Sequence, residues 1–141
     1  MNKKQYLKQG LRLKKEISHN EDMLQALKSN LDGLQAIKLS EKVQGGTIKD
    51  DSAMIERMDK IIELEKKIKL EKCQLTDLRN EILEKLRSIK NSDEKILMES
   101  RYYLLMSWEE IADKLCYSLS HTYTIHGRAL KNFEIIENSS K

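Results

Sequence analysis

Proline is absent from the 141 residues, and phenylalanine and tryptophan occur once each. With no proline, no position has φ locked or a backbone donor removed, so long uninterrupted helices are permitted. Aromatics make up 5% of the chain and charged residues 35%, the profile of long helices or a coiled coil rather than a compact α/β enzyme. Cysteine occurs twice, as Cys73 and Cys116, which makes no disulfide framework and suits a reducing cytosol. Apolar runs are only a few residues long, so no membrane span is expected. The Lys-rich start (Lys3, Lys4, Lys8) lacks the apolar stretch that a signal peptide carries after its charges.

What is present is charge, unevenly divided. Residues 1–91 hold 20 Lys and Arg against 15 Asp and Glu, a balance of +5. Residues 92–141 hold 6 against 8, a balance of −2.

The first stretch reads as a long helix. Tyr6, Leu13, Ile17, Leu24, Leu27, Leu31 and Leu34 follow alternating spacings of three and four, interrupted by Gly10 and Asn20. Gly10 should weaken the helix by ~1 kcal/mol relative to Ala. Ser18-His19-Asn20 is a candidate fray or kink, because Asn20 could cap a new helix. Residues 43–52, VQGGTIKDDS, break the pattern with turn and cap signals. They are a helix–helix connection; a phosphate-binding Gly loop would need a preceding strand and a following Lys-Ser/Thr.

A second long helix follows, with Met54, Ile61, Ile68, Leu75, Ile82, Ile89 and Ile96 at intervals of seven. Leu64 and Leu78 fill alternate partner positions, and Arg57, Glu71 and Lys85 take the others. Such a repeat favours a left-handed supercoil with another helix. Two stretches of similar length with a short turn between them favour an antiparallel hairpin, each arm running roughly 57 Å at ~1.5 Å per residue. A homodimeric bundle of two hairpins would bury the same seam. Polar residues on the seam (Asn20, Glu71, Lys85) are expected to fix register or face solvent. Asn91-Ser92-Asp93 offers caps for a new helix bearing Ile96, Leu97, Tyr103 and Leu104, although Ile96 keeps the seven-residue phase.

The last third is organised differently. Trp108, Ile111, Ala112 and Leu115 form one buried face of a short helix, and Ser107 with Glu110 makes the S-x-x-E of a capping box. Cys116-Tyr117-Ser118 separates it from a helix with apolar positions at Leu119, Ile125, Ala129 and Leu130, which Ser118 can cap. That is the helix-turn-helix layout, with Ala112 small where the helices cross. Cys116 stands where such turns often have Gly, so the turn either avoids positive φ or carries strain. A semi-buried structural thiol is expected there, and Thr122 takes a place usually apolar.

The segment SWEEIADKL-CYS-LSHTYTIHGRALKNF resembles the DNA-binding helix-turn-helix of sigma-factor region four. More narrowly, RYYLLMSWEEIADKLCYS followed by IHGRAL resembles small phage proteins of Gram-positive hosts, related to late transcriptional regulators of the RinA and ArpU type. The expected fold is all-α: a long antiparallel, coiled-coil-like hairpin over residues 1–91 and a helix-turn-helix domain over 92–141. The resemblance implies double-stranded DNA as partner, in the cytoplasm of a bacterial host. It also implies a stalk used for homodimer or higher assembly, or for contact with RNA polymerase.

By alignment to the sigma pattern, the base-facing positions are Leu119, Ser120, Tyr123 and Thr124, with His121 flanking. Leu119 or Thr124 could contact a thymine methyl, and Ser120 could donate to several acceptors, giving modest readout tolerant of A/T. Phosphate contacts would come from Lys114, His126, Arg128 and Lys131, with Tyr123. The mildly acidic balance of residues 92–141 predicts a weak binder alone, helped by dimerisation or a partner.

Nothing in the pattern points to an enzyme, a cofactor or a metal. His121 and His126 point about 140° apart on a helix and cannot share an ion. Glu109-Glu110 reads as charge favoured at a helix start. Besides the transcriptional regulator, two functions fit the same layout: a DNA-packaging recognition subunit of the small-terminase kind, and a helical interaction protein that binds no DNA.

Overall fold

The computed structural model describes residues 2–43 and 52–139, with side chains over 2–33 and 52–133. Among these residues the fold is all-α, with five helices and no strand: α1 Lys3–Val43, α2 Ser52–Leu86, α3 Ser92–Tyr102, α4 Trp108–Leu115 and α5 Leu119–Ser139. The Gly45-Gly46 turn, Asp50 and Asp51, and the Leu34 side chain lie outside the described residues. No described helix is long and apolar enough to cross a membrane.

Two compact units divide the chain, one of residues 1–14 with 74–141 and one of residues 15–73. The division falls inside the long helices rather than at residue 91. The reason is burial: Leu7 of α1 and Ile82 and Leu86 of α2 share one core with Ile89, Leu97, Met98, Tyr102, Ile111, Ile125, Ala129 and Phe133. The first turns of α1 and the last turns of α2 therefore pack as part of the C-terminal unit.

In the unit of residues 15–73, Ile17, Ile61 and Ile68 are buried, three of the seam positions marked by the seven-residue spacing and its three-four counterpart. Helix α1 runs without a break through Ser18, His19 and Asn20. Asn20 caps nothing; its side-chain amide donates to Glu71 Oε1 at 2.7 Å. Glu71 is a seam residue only 7% exposed, between the buried Ile68 and the partly buried Leu75. One polar pair at a single level of such a seam penalises slipped registers, since a slip would leave the acid among apolar side chains. The Lys72–Glu21 pair, 3.6 Å apart, is well exposed and adds little.

In the other unit, Lys85 lies over the Tyr6 ring, 4.3 Å from its centroid. Gly10 is buried, and a Cβ there would meet Leu105 at 3.6 Å and Leu75 at 3.8 Å. α2 ends at Leu86 and α3 begins at Ser92, with Asn91 Oδ1 accepting from the Glu94 amide at 3.0 Å. That break ends the seven-residue phase: Ile96 is 37% exposed, whereas its neighbours Leu97 and Met98 are fully buried.

The connection from α3 to α4 is held by cations. Leu105 takes a left-handed backbone (φ 59°), a conformation that costs an L-residue roughly 1–2 kcal/mol, and its side chain is buried. Three carbonyls of this connection each accept from a basic side chain. Arg79 Nε reaches Tyr103 O at 2.6 Å, Lys14 Nζ reaches Leu105 O at 3.1 Å, and Arg101 Nη1 reaches Met106 O at 2.9 Å. Carbonyls left over at a helix C-terminus carry partial negative charge, and cations satisfy them best.

Asn20→Ala removes the partner of a buried carboxylate and is expected to destabilise by about 1–3 kcal/mol in denaturant unfolding. Asn20→Leu combined with Glu71→Leu should be close to neutral, or more stable, because both polar groups leave together. Equal losses in the single and double variants would contradict this account of the pair.

Candidate nucleic-acid interface

The short helix α4 is fixed at its start by its own sequence. The Ser107 hydroxyl accepts from the Glu110 amide and the Glu110 carboxylate accepts from the Ser107 amide, both at 3.2 Å. The Ser107 amide, and after it the Ser107 side chain, hold the Glu110 carboxyl below the usual carboxylate range. Ile111 and Ala112 are buried, and Trp108 and Leu115 pack against the core from its edge.

Cys116 ends α4 in the left-handed region (φ 60°, ψ 38°), and its amide donates back to Ala112 O and Asp113 O. The turn thus keeps the conformation that glycine would favour and bears the cost on a cysteine. The Cys116 side chain is exposed, not semi-buried, because the left-handed turn directs it away from the core.

Helix α5 starts with a second cap, the His121 amide donating to Ser118 Oγ at 3.1 Å. Its rotation is set by Thr122, Ile125, Ala129 and Phe133, all buried and spaced at three or four. Thr122, completely enclosed, satisfies its hydroxyl by donating to Ser118 O at 2.8 Å, so the polar atom costs little in the core. Polar bridges lock the three helices together. Asn132 donates to Glu94 Oε2 at 2.6 Å between α5 and α3, and Lys114 Nζ to Ser100 Oγ at 3.0 Å between α4 and α3. The Tyr117 hydroxyl donates to Asp93 Oδ2 at 2.7 Å, and that bond raises the pKa of the phenol.

With that stripe inward, the opposite side of α5 is outward. Leu119, Ser120, His121, Tyr123 and Thr124 are all exposed, as are Arg128 and Lys131 farther along the helix. Leu119, predicted among the apolar positions of α5, is 37% exposed and Tyr123 47%. The Thr124 hydroxyl donates to Ser120 O at 3.2 Å. From Ser118 to Phe133 the sequence holds no Asp or Glu. Lys114 is exposed but tied to Ser100.

His126 is set apart from the other basic candidates. Its Nε2 lies 2.7 Å from the Tyr102 hydroxyl, and its ring meets Trp108 edge-on at 4.6 Å between centroids. Burial, then the charges of Lys4, Arg101 and Lys8, lower its pKa to about 4, so at pH 7 it is neutral. Tyr102 is raised to about 12 by burial against the pull of Arg101 and is neutral too. His126 therefore brings a neutral ring to the surface rather than a cation. Sequence periodicity did not single out Arg101 or Tyr102, whose rings and charge surround it. Arg101 stacks on Trp108, 4.4 Å from its centroid.

Among the described residues, no three His, Cys, Asp or Glu side chains converge where a metal ion could be held. Comparison of the chain with protein-family models, with curated proteins and with solved structures finds no match.

Cys116→Gly should raise stability by about 0.5–1 kcal/mol in denaturant unfolding, since glycine occupies the left-handed region without a Cβ clash. A loss of stability would contradict the strain assigned to this turn. A second expectation concerns pH. The folded pKa of His126 lies below the unfolded value of 6.5, so its neutral burial is fully favourable above pH 6.5 and that contribution is lost as pH falls toward 4. The loss should be on the order of 1–2 kcal/mol, discounted for partial solvation of the ring. Unfolding midpoints between pH 7 and pH 4.5 should fall more steeply for the wild type than for His126→Gln; identical slopes would contradict the assignment.

Proposed function

We propose that the chain is a DNA-binding transcriptional regulator of the phage type. Helices α4 and α5 act as a helix-turn-helix, with α5 lying in the major groove and its first turns at the base edges. Helices α1 and α2 form an antiparallel hairpin, the stalk for self-assembly or for contact with RNA polymerase. The single observation that supports this best is the outward face of α5: Leu119, Ser120, His121, Tyr123 and Thr124 are all accessible on a helix whose other face is anchored. A helix packed on one side and free of acid from Ser118 to Phe133 is what approach to a polyanion requires.

Side chains on this face define the kind of readout. Ser120 donates or accepts, the Leu119 side chain and the Thr124 methyl suit thymine methyl groups, and no residue there offers the fork that reads guanine. Sequence preference should therefore be modest and favour A/T-containing sites. Arg128 and Lys131 supply charge to phosphates on the same side, and Lys114 to the adjoining strand. His126, neutral, can only donate or accept a hydrogen bond there. The resemblance to sigma-factor region four and to late phage regulators supports the same reading from the sequence.

Duplex binding measured across salt concentrations tests it. Arg128→Ala should weaken binding to all duplexes alike and reduce the salt slope by about one. Ser120→Ala or Thr124→Ala should change the order of preference among duplexes, by about 1 kcal/mol per position at most. If Arg128→Ala binds as the wild type does, α5 does not lie in the groove as proposed.

A further inference from the structure

Beside the outward face of α5 is a cleft of about 240 Å³ whose walls come from α1, α3, α4 and α5. Lys4 and Lys8 of α1 and Arg101 of α3 contribute three positive charges, while Trp108, Tyr123 and His126 contribute rings. Among the described residues, no Asp or Glu lines it. Among these rings, Tyr123 belongs to both surfaces: it lines the cleft, meeting Trp108 edge-on at 5.4 Å, and it is 47% exposed on the proposed reading face. The Arg101 guanidinium is fixed in place by its stack on Trp108 and its bond to Met106 O. Its Nε is nevertheless a buried donor with no hydrogen-bond partner. Three cations that converge on a ring-walled cleft, with no acid among the described residues lining it, suit an anion.

We propose that this cleft seats a phosphodiester group of the duplex, so that the start of α1 is part of the DNA-binding surface. The inference rests on the reading of α5 given above and extends it to residues outside α4 and α5. Charge counts agree. Residues 92–141 are acidic by two charges, too few cations for firm binding, but the compact unit also contains residues 1–14, with five Lys and Arg and no acid. Residues 1–14 and 74–141 together hold fifteen Lys and Arg against eleven Asp and Glu, a balance of +4. The cations missing from the helices that would read bases are thus supplied by α1. The aromatic wall has a second effect, since the ring beside the partly buried Arg101 strengthens its attraction for a bound phosphate relative to open water. The same three charges contribute, after burial, to keeping His126 neutral.

Trp108 is the one tryptophan of the chain, so its fluorescence reports on the cleft without a label. The full chain and its Lys4→Ala/Lys8→Ala and Arg128→Ala variants are titrated with duplex DNA at several salt concentrations, following both affinity and Trp108 emission. Lys4 and Lys8 are exposed, and circular dichroism checks that the double variant keeps its helices. The expected result is roughly tenfold weaker binding of the double variant at ~0.1 M salt, a salt slope lower by about one to two, and unchanged order of preference among duplexes. Trp108 emission should shift on duplex binding in the wild type and shift less in the double variant. If Arg128→Ala is weakened while the Lys4/Lys8 variant binds with wild-type affinity and slope, α5 binds DNA and the cleft does not. If the wild type binds no duplex at any salt, both readings fall. If millimolar inorganic phosphate shifts Trp108 emission but duplex neither shifts it nor competes, the cleft is a small-anion site and the proposal is overturned.

Discussion

One buried stripe decides what the C-terminal unit can offer to a partner. Thr122, Ile125, Ala129 and Phe133 face inward along α5, and with that rotation set every other residue of the helix has its direction assigned. Burying four side chains on one side is worth several kcal/mol, at ~1.5–3 kcal/mol for each large apolar one. No surface interaction of α5 competes with it. The stripe is completed by its partners: Ile111 and Ala112 from α4, and Leu97, Met98 and Tyr102 from α3. The polar bridges at Asn132–Glu94 and Lys114–Ser100 add direction rather than bulk energy, since each can be satisfied in few orientations.

A second constraint acts on the connection before α4. Leu105 in a left-handed conformation is unfavourable by itself, and it is stabilised from three sides by Lys14, Arg79 and Arg101 through the carbonyls around it. These cations come from α1, α2 and α3, so the ends of the long helices and the entry to α4 are mutually dependent. The same use of charge recurs at the cleft, where Arg101 bridges from its loop carbonyl to the ring of Trp108. Cations in this unit serve two purposes, closing helix ends and creating a positive surface beside α5.

Much of this architecture could be read locally. Ser107 and Glu110, the three residues of the turn, and Ser118 mark the bounds of α4 and α5 because caps depend on neighbours within one helical turn. The seven-residue spacing located Ile61, Ile68 and Ile82 on the buried side, because period alone selects a face of a helix. Periodicity failed at Ile96, where a new helix resets the phase; at Asn20 it was the cap signal that misled, since the side chain serves a distant acid across the seam. The residues illegible in sequence are those whose partners lie far along the chain. Lys14 contacts Leu105 across 91 positions, and nothing near either residue signals it. His126 looks like a candidate cation until Tyr102, Trp108 and three distant charges are placed around it. Cys116 could be read either way from its turn, and the left-handed conformation that it adopts explains its exposed thiol.

The central claim is that the exposed first turns of α5 meet base edges in a DNA major groove. Selection of bound fragments from genomic DNA by the full chain, followed by probing of the recovered sites with major-groove methylation, tests it most directly. The account predicts enrichment of a common A/T-containing site at which groove-blocking modification prevents binding. Recovery of fragments without a shared site, or binding indifferent to major-groove modification, would contradict it.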